Sequence, residues 1–220
     1  MPSKALITFQ ENRKDADALL ELHEEKSGDK PGRKFNVAHL NKAVVVFVCA
    51  AWEAYCEDII AEAIEHIVAD CSDPKLLPKE LRKHIAAQVR SDKNEIAPWD
   101  LAMDGWKQLL KANATQFTVS LTGRWNTPKP TQVQELFLKS LGIADITAGW
   151  SWQNCDNYTA RKKLDEFVTL RGAIAHRLSA DKPVHKAQGV DFAAHVERLA
   201  SIIDQLINDY LFQITGKHYW

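Results

Sequence analysis

The sequence of 220 residues lacks the features that mark several large classes of protein. Its four cysteines show no C-x-x-C spacing, so neither a zinc site nor a redox pair is indicated. The longest uninterrupted apolar run, residues 43–52, has ten residues, which is too short to span a bilayer. The first residues contain no apolar stretch followed by the small residues of a secretory cleavage site. We therefore expect a cytoplasmic protein with reduced cysteines and no association with membranes.

The sequence also lacks the short motifs of cofactor-dependent enzymes. None of its nine glycines forms a G-x-G, which excludes the dinucleotide-binding fingerprint and the glycine-rich loop of kinases. There is no H-E-x-x-H, and no histidine has a glutamate three residues before it, so the ferritin-type di-iron pattern is absent. The G-x-S-x-G motif of α/β-hydrolases is absent as well. We therefore expect a protein that uses no cofactor and no metal.

Apolar residues recur at the spacing of an α-helix along most of the chain. The strongest pattern covers residues 37–69, which contain no glycine or proline, so we predict one long buried helix there. Residues 91–131 show a weaker pattern, which we interpret as an irregular or short-helix insertion. Because no segments alternate as strands do, the sequence predicts an all-α bundle. Further helices are predicted at residues 9–26, at 79–90, at 132–141 with Thr131 as N-cap and Gly142 as the stop, at 157–178 and at 191–214.

The net charge of −1 conceals an uneven distribution of charge along the chain. Residues 43–74 contain seven acidic residues and no basic one, whereas residues 158–186 contain seven basic residues against three acidic ones. A local basic patch can bind polyanions even when the whole protein is neutral. The alternative is that the acidic and basic segments pack against each other, and charge alone favours this alternative.

Arg171 interrupts the apolar stripe of the helix predicted at residues 157–178. A guanidinium in a core-facing position is costly unless it is paired or lies at a wet interface, and Glu53 or Glu57 of the acidic helix could pair with it. His176 follows five residues later, about 140° around an ideal helix, so Arg171 and His176 do not share a face. They converge only through the reach of the arginine, an end of the helix near His176, or a second copy of the motif.

Arg171 and His176 form an R-x4-H motif, which resembles the R-x(4–6)-H motif of HEPN domains (higher eukaryotes and prokaryotes nucleotide-binding). Two further blocks resemble the RiboL-PSP-HEPN branch of this family. One is A-W-E-A-Y-C-E-D at residues 51–58, in the long acidic helix. The other is residues 126–152, with N-T-P, V-Q-E-L-F and L-G-I-A-D, followed by a helix that ends in R-x-x-I-A-H.

The sequence departs from the family pattern beside both motif residues. Gly172 follows the arginine where a polar residue is usual, and Arg177 follows the histidine where glycine is common. The resemblance implies an HEPN-like up-and-down helical bundle. We expect a single domain over residues 1–220, with a core at about 37–213, an N-terminal helix at about 9–26 and the insertion at about 91–131.

The resemblance also implies an activity, that of a metal-independent endoribonuclease. In HEPN ribonucleases two motifs meet across a homodimer, and the RNA 2′-hydroxyl attacks the adjacent phosphate. Arginine offers a planar set of donors for phosphate oxygens, and histidine exchanges protons near neutral pH. By this resemblance Arg171 would stabilise the phosphate and His176 would act as general acid and base. Arg177, Lys182 and Lys186 would follow the RNA backbone.

The partners that the resemblance implies are RNA, a second copy of the chain, and an antitoxin or defence-system protein, in keeping with a toxin or phage-defence role. One alternative is a non-catalytic HEPN module that dimerises and binds RNA, a nucleotide or a partner protein. A further alternative is a structural helical subunit without affinity for RNA. RNA binding that survives His176→Ala would distinguish the non-catalytic module from the nuclease.

Overall fold

The structure, a computed structural model, describes residues 1–27, 37–123, 125–177 and 183–220. In these residues the chain forms α-helices and no β-sheet, which confirms the predicted all-α class. Within the same ranges, none of the helices combines the length and the apolar character needed to cross a membrane. The helices are α1 (Lys4–Ser27), α2 (Ala38–Asp70), α3 (Lys79–Ser91), α4 (Gly105–Thr122), α5 (Pro130–Leu141), α6 (Asn157–Arg177) and α7 (Lys186–Thr215).

Helix α2 is the centre of the bundle and contacts helices α1, α4, α5, α6 and α7. Its aromatic residues Trp52 and Tyr55 are fully buried, and their rings stack with centroids 6.0 Å apart. Trp52 also meets the ring of Trp150 edge-on at 6.3 Å. The hydroxyl of Tyr55 donates a hydrogen bond to the carbonyl oxygen of Ala200 in α7 at 2.8 Å, so its polar end is satisfied inside the core.

The segment before α5 connects α2 to α6. The indole Nε1 of Trp52 donates a hydrogen bond to the carbonyl oxygen of Pro128 at 3.1 Å. The next residue, Lys129, extends to α6, where its Nζ donates to Thr169 Oγ1 at 2.8 Å and lies 3.1 Å from Asp165 Oδ1. These bonds hold α2 and α6 side by side, and these two helices carry Arg171, His176 and the acidic residues expected to pair with the arginine.

Residues 91–131 are more regular than the weak sequence pattern indicated. They contain a 3-10 turn at Ala97–Leu101 and the 18-residue helix α4. Only Leu110 and Phe117 of α4 are buried, and they lie two turns apart on one side of the helix. Because most of the remaining α4 residues keep contact with solvent, its apolar periodicity is weak in the sequence.

The starts of three helices differ from their predicted positions. Helix α1 begins at Lys4 rather than near residue 9, and α7 begins at Lys186 rather than at residue 191. Helix α5 begins at Pro130, and its N-cap is Lys129, so the prediction of Thr131 as N-cap is wrong. Proline suits the first helical position because its fixed φ is helical and the N–H that it lacks would be unbonded there.

Two helical glycines offer a matched test of how α6 and α7 pack. A Cβ added at Gly172 in α6 has no neighbour within 4 Å, whereas one at Gly189 in α7 would lie 2.7 Å from Cγ1 of Val44. Since alanine favours a helix over glycine by about 0.5–1 kcal/mol, Gly172→Ala should raise the free energy of unfolding by about that amount. Gly189→Ala should lower it, because Val44 is fully buried in α2 and has no room to move. Urea unfolding of both variants measures the difference, and a stabilised Gly189→Ala would contradict the close packing of α7 on α2.

Candidate nucleic-acid site on helix α6

Arg171 lies on α6 where this helix faces α2. Its Nη2 is 3.5 Å from Glu53 Oε2, an ion pair between side chains that are 26% and 18% exposed. The Nε of Arg171 is buried and has no hydrogen-bond partner. Glu57, the other acidic residue considered for this pairing, makes no ion pair among the residues that the structure describes. The arginine in the apolar stripe therefore contacts Glu53 and retains unused N–H donors.

Burial controls the electrostatics around this pair. Burial raises the pKa of Glu53, and the nearby Arg171 opposes this shift without cancelling it. Burial also raises the pKa of the neighbouring Cys49 thiol to about 12, so this cysteine remains protonated at neutral pH. The pKa of Glu57 is raised by burial and by the negative charges of Glu53 and Asp58. The α2 side of the site is thus an acidic, partly desolvated surface with one cation against it.

His176 lies in the last turn of α6, and its side chain is exposed. Within the described part of the chain it makes no hydrogen bond and no ion pair. Arg171 contacts α2, whereas His176 faces solvent, as their separation of about 140° around the helix predicts. A single chain therefore presents the two motif residues on different sides of α6.

Most of the basic segment at residues 158–186 is neutralised by ion pairs within the chain. Five of its seven basic residues have a carboxylate oxygen within 4 Å, and the acidic partners come from four different helices and one loop. The pairs are Arg161 with Asp145, Lys162 with Glu166, Lys163 with Asp191, Arg171 with Glu53, and Lys186 with Glu24. The acidic and basic segments do lie side by side, because α2 contacts α6, but only one of these five pairs, Arg171 with Glu53, joins the two segments.

The residues expected to follow an RNA backbone differ in how the structure places them. Lys186 begins α7, and its Nζ donates a hydrogen bond to Glu24 Oε1 of α1, which lowers the pKa of Glu24. Arg177 is the last residue of α6. Lys182 lies outside the residues that the structure describes. Phosphate binding by Lys186 would have to compete with Glu24 for the ammonium group.

Lys129 is a cation near the motif that sequence reasoning did not single out. Its contact with Thr169 is on the same side of α6 as His176, because seven residues make almost two full turns. Lys129 stands between two prolines in a turn-rich break, where no periodic pattern indicates which helix it contacts. Only the folded chain shows that it lies across α6.

The side chains that commonly bind metals are dispersed. In the ranges 1–27, 37–123, 125–177 and 183–220, no three histidine, cysteine or acidic side chains are grouped so that they could hold a metal ion. His195 is buried in the core, and burial lowers its pKa to about 4. Its Nε2 is 3.0 Å from the carbonyl oxygen of Ala160. His195 therefore belongs to the packed core and not to a candidate functional site.

A comparison with known protein families identifies the family to which this helical bundle belongs. The family model for RiboL-PSP-HEPN matches residues 10–209 of the chain. The chain belongs to the RiboL-PSP-HEPN family. This confirms the resemblance to the RiboL-PSP-HEPN branch. No curated protein and no solved structure matches the sequence.

Membership of the HEPN family sets the functional class. It supports a HEPN-type nuclease or RNA-binding module, and HEPN domains commonly dimerise and bind RNA. The match spans the helices from α2 to α6 in full and the greater part of α1 and α7. The helices that carry Arg171, His176 and Glu53 therefore all lie inside the matched region.

Arg171→Ala tests whether the arginine compensates the buried charge of Glu53. Without the guanidinium, we expect the free energy of unfolding to fall by about 1–3 kcal/mol at neutral pH. Burial already raises the pKa of Glu53, and loss of Arg171 raises it further. The folded variant therefore binds a proton more readily than the unfolded chain, so its stability rises as the pH is lowered. The loss should shrink between about pH 7 and about pH 5.

Glu53→Gln in the Arg171→Ala background supplies the control for this effect. Because it removes the uncompensated carboxylate, we expect it to recover most of the lost stability and to abolish the added pH dependence. Arg198→Ala, at an exposed arginine of α7, should change little. Urea unfolding at both pH values measures all variants. A pH-independent loss that persists when Glu53→Gln is added would show that Arg171 acts through packing alone.

Proposed function

We propose that this HEPN protein is a metal-independent endoribonuclease in which Arg171 binds the scissile phosphate and His176 transfers the proton. The observation that carries the proposal is that His176 is exposed at the end of α6 and has no partner among the residues that the structure describes, while Arg171 is held on the same helix with unused donors. A histidine engaged in the core would be unavailable for proton transfer, as His195 is. The family match supports the nuclease or RNA-binding class for these residues.

The proposed reaction needs one proton taken up and one proton delivered. The 2′-hydroxyl oxygen forms a bond to phosphorus as it loses its proton, and the bond to the 5′-oxygen of the next nucleotide breaks as that oxygen gains one. The products are a 2′,3′-cyclic phosphate and a free 5′-hydroxyl. Histidine suits both transfers because its ordinary pKa lies near neutrality, and the Arg171 guanidinium stabilises the negative charge that develops on the phosphate.

The geometry of α6 favours a site built from two chains. In one chain Arg171 faces α2 and His176 faces solvent, so the two side chains diverge. A two-fold axis beside α6 would bring the His176 of one chain towards the Arg171 of the other. By the family resemblance, such a homodimer would serve a toxin or phage-defence role, with an antitoxin or defence-system protein as a further partner.

A non-catalytic HEPN module is the second candidate, and a specific observation favours it. Arg171 is already paired with Glu53, and Lys186 is paired with Glu24, so two of the proposed RNA contacts are occupied within the chain. Gly172 also offers no side chain next to the arginine. Such a module would bind RNA in a salt-dependent manner without cleaving it, and His176→Ala would leave this binding unchanged.

Cleavage of RNA in the presence of EDTA is the first test of the nuclease. We expect the wild-type protein to cut single-stranded or structured RNA and to leave cyclic phosphate ends. His176→Ala should reduce the rate about 100-fold or more, since it removes the proton-transfer group. Arg171→Ala should reduce it to a similar extent, since it removes charge stabilisation. Gel analysis of end-labelled RNA measures both rates, and resistance of the new 3′ ends to phosphatase and to ligation identifies the cyclic phosphates.

The matched control is His218→Ala, at an exposed histidine after α7, which should cut at the wild-type rate. Arg171→Lys separates charge from geometry, because lysine keeps the charge and loses the planar donors. Equal cleavage by wild type, His176→Ala and Arg171→Ala would assign the activity to a contaminant and remove the nuclease proposal. RNA binding without cleavage in all variants would select the non-catalytic module.

Mixing two inactive variants tests the composite site. If each site takes Arg171 from one chain and His176 from the other, a heterodimer of Arg171→Ala with His176→Ala contains one intact site and one doubly defective site. Random exchange of subunits makes about half of the dimers mixed, so about a quarter of the wild-type activity should return. Neither variant alone should show this recovered activity. No recovery after verified subunit exchange would show that both residues act from the same chain or that all four are needed together.

A further inference from the structure

Three highly exposed apolar side chains lie in one loop between α3 and α4. In this loop, residues 94–104, the side chains of Ile96, Trp99 and Met103 are 64%, 79% and 95% exposed. The other six tryptophans of the chain are buried or half-buried. Large apolar side chains concentrated in this way mark a surface that contacts another molecule. We name residues 94–104 the tryptophan loop.

The tryptophan loop is a folded element that holds these side chains in place. Gly105 packs so closely on the loop that an added Cβ would lie 1.9 Å from the carbonyl oxygen of Asp100. Met103 has a φ of 52°, a left-handed conformation that is costly for a residue with a side chain and persists only where surrounding structure imposes it. Four backbone N–H groups donate to the carbonyl three residues earlier at 2.9–3.0 Å: Ala97 to Asn94, Trp99 to Ile96, Ala102 to Trp99 and Gly105 to Ala102.

The charge of the loop restricts what can bind it. The loop contains three acidic residues and no basic one, and among the described residues Glu95 and Asp100 make no ion pair. This charge disfavours RNA and the anionic surface of a membrane. It favours an apolar surface that carries lysine or arginine at its edge.

Such a surface exists on the same chain, in a groove between α2 and α4. The groove has a volume of about 480 Å³, and Val68, Ala69 and Ala114 supply its apolar lining. Its charged lining consists of Lys107, Lys111 and Glu65. Lys107 is 3.7 Å from Asp104, whereas Lys111 makes no ion pair or hydrogen bond within the described residues. Two lysines against one glutamate give the groove a net positive charge, opposite in sign to that of the tryptophan loop, and its apolar lining matches the apolar side chains of the loop.

We propose that the tryptophan loop of one chain occupies the α2–α4 groove of a second copy, and that this contact is separate from the composite site on α6. Within one chain the apolar side chains of the loop remain exposed while the groove is open, although Asp104 of the loop pairs with Lys107 at the edge of the groove. The loop leads directly into α4, which forms one wall of the groove. A two-fold axis near the start of α4 therefore allows both loops to be exchanged at once.

Sedimentation velocity over a concentration series tests the contact. We expect Trp99→Ala to weaken self-association at least tenfold, because truncation of a central tryptophan removes the main anchor. Lys111→Glu should weaken it as well, and combining Lys111→Glu with Asp100→Lys should restore it, since the attraction is rebuilt with reversed signs. Phe212→Ala, at a partly exposed phenylalanine of α7, is the matched control and should have no effect. Arg171→Ala leaves this surface intact, so failure of the nuclease proposal would not change the result.

Site-directed cross-linking identifies the two surfaces directly. In a Cys155→Ser background, which removes the one native cysteine that is not buried, Met103→Cys chains are mixed with Lys111→Cys chains and treated with a short bismaleimide. We expect covalent dimers in the mixture, and few when Leu138→Cys on α5 replaces Lys111→Cys. A wild-type monomer at all concentrations, or self-association unchanged by Trp99→Ala, would overturn the proposal. Trp99-dependent binding of neutral lipid vesicles without self-association would overturn it too, in favour of a lipid surface.

Discussion

The burial of α2 is the constraint on which the rest of the molecule depends. Five of the other six helices contact it, so its apolar side chains form the common core of the bundle. A polar group on such a helix must find a partner, because an unpaired charge in a partly desolvated position is costly. The Tyr55 hydroxyl donates a hydrogen bond to a backbone carbonyl of α7, and the Trp52 indole donates one to the carbonyl of Pro128 before α5. The Glu53 carboxylate forms an ion pair with Arg171 of α6.

This constraint gives Arg171 two roles that compete. The guanidinium compensates a half-buried carboxylate, which ties it to α2, and the same group is the proposed ligand for phosphate. The side chain of His176, in contrast, is exposed. Because Arg171 contacts α2 while His176 is exposed, a site built from two chains fits this arrangement better than a site within one chain. The ion pair also makes Glu53 a determinant of how readily Arg171 engages a phosphate.

Local sequence patterns predict the parts of the fold in which one side of a helix is strongly apolar. Helices α2, α3 and α6 end within one or two residues of their predicted limits, because a continuous apolar stripe bounded by glycine and proline is a local signal. The sequence does not predict α4 as a regular helix, since only Leu110 and Phe117 are buried on it. The prediction of Thr131 as an N-cap is wrong because proline at the first helical position moves the cap to the residue before it.

The sequence by itself determined the all-α class, the family and the need of Arg171 for an acidic partner, because periodicity, motif and an arginine in an apolar stripe are all readable from neighbouring residues. Tertiary structure alone decided that the partner is Glu53 and not Glu57, since that depends on how α2 is rotated against α6. It also decided that three cations of the basic segment pair with carboxylates of other helices, and that Lys129 reaches α6. These contacts join residues up to 162 positions apart, and packing, which no local pattern records, brings them together.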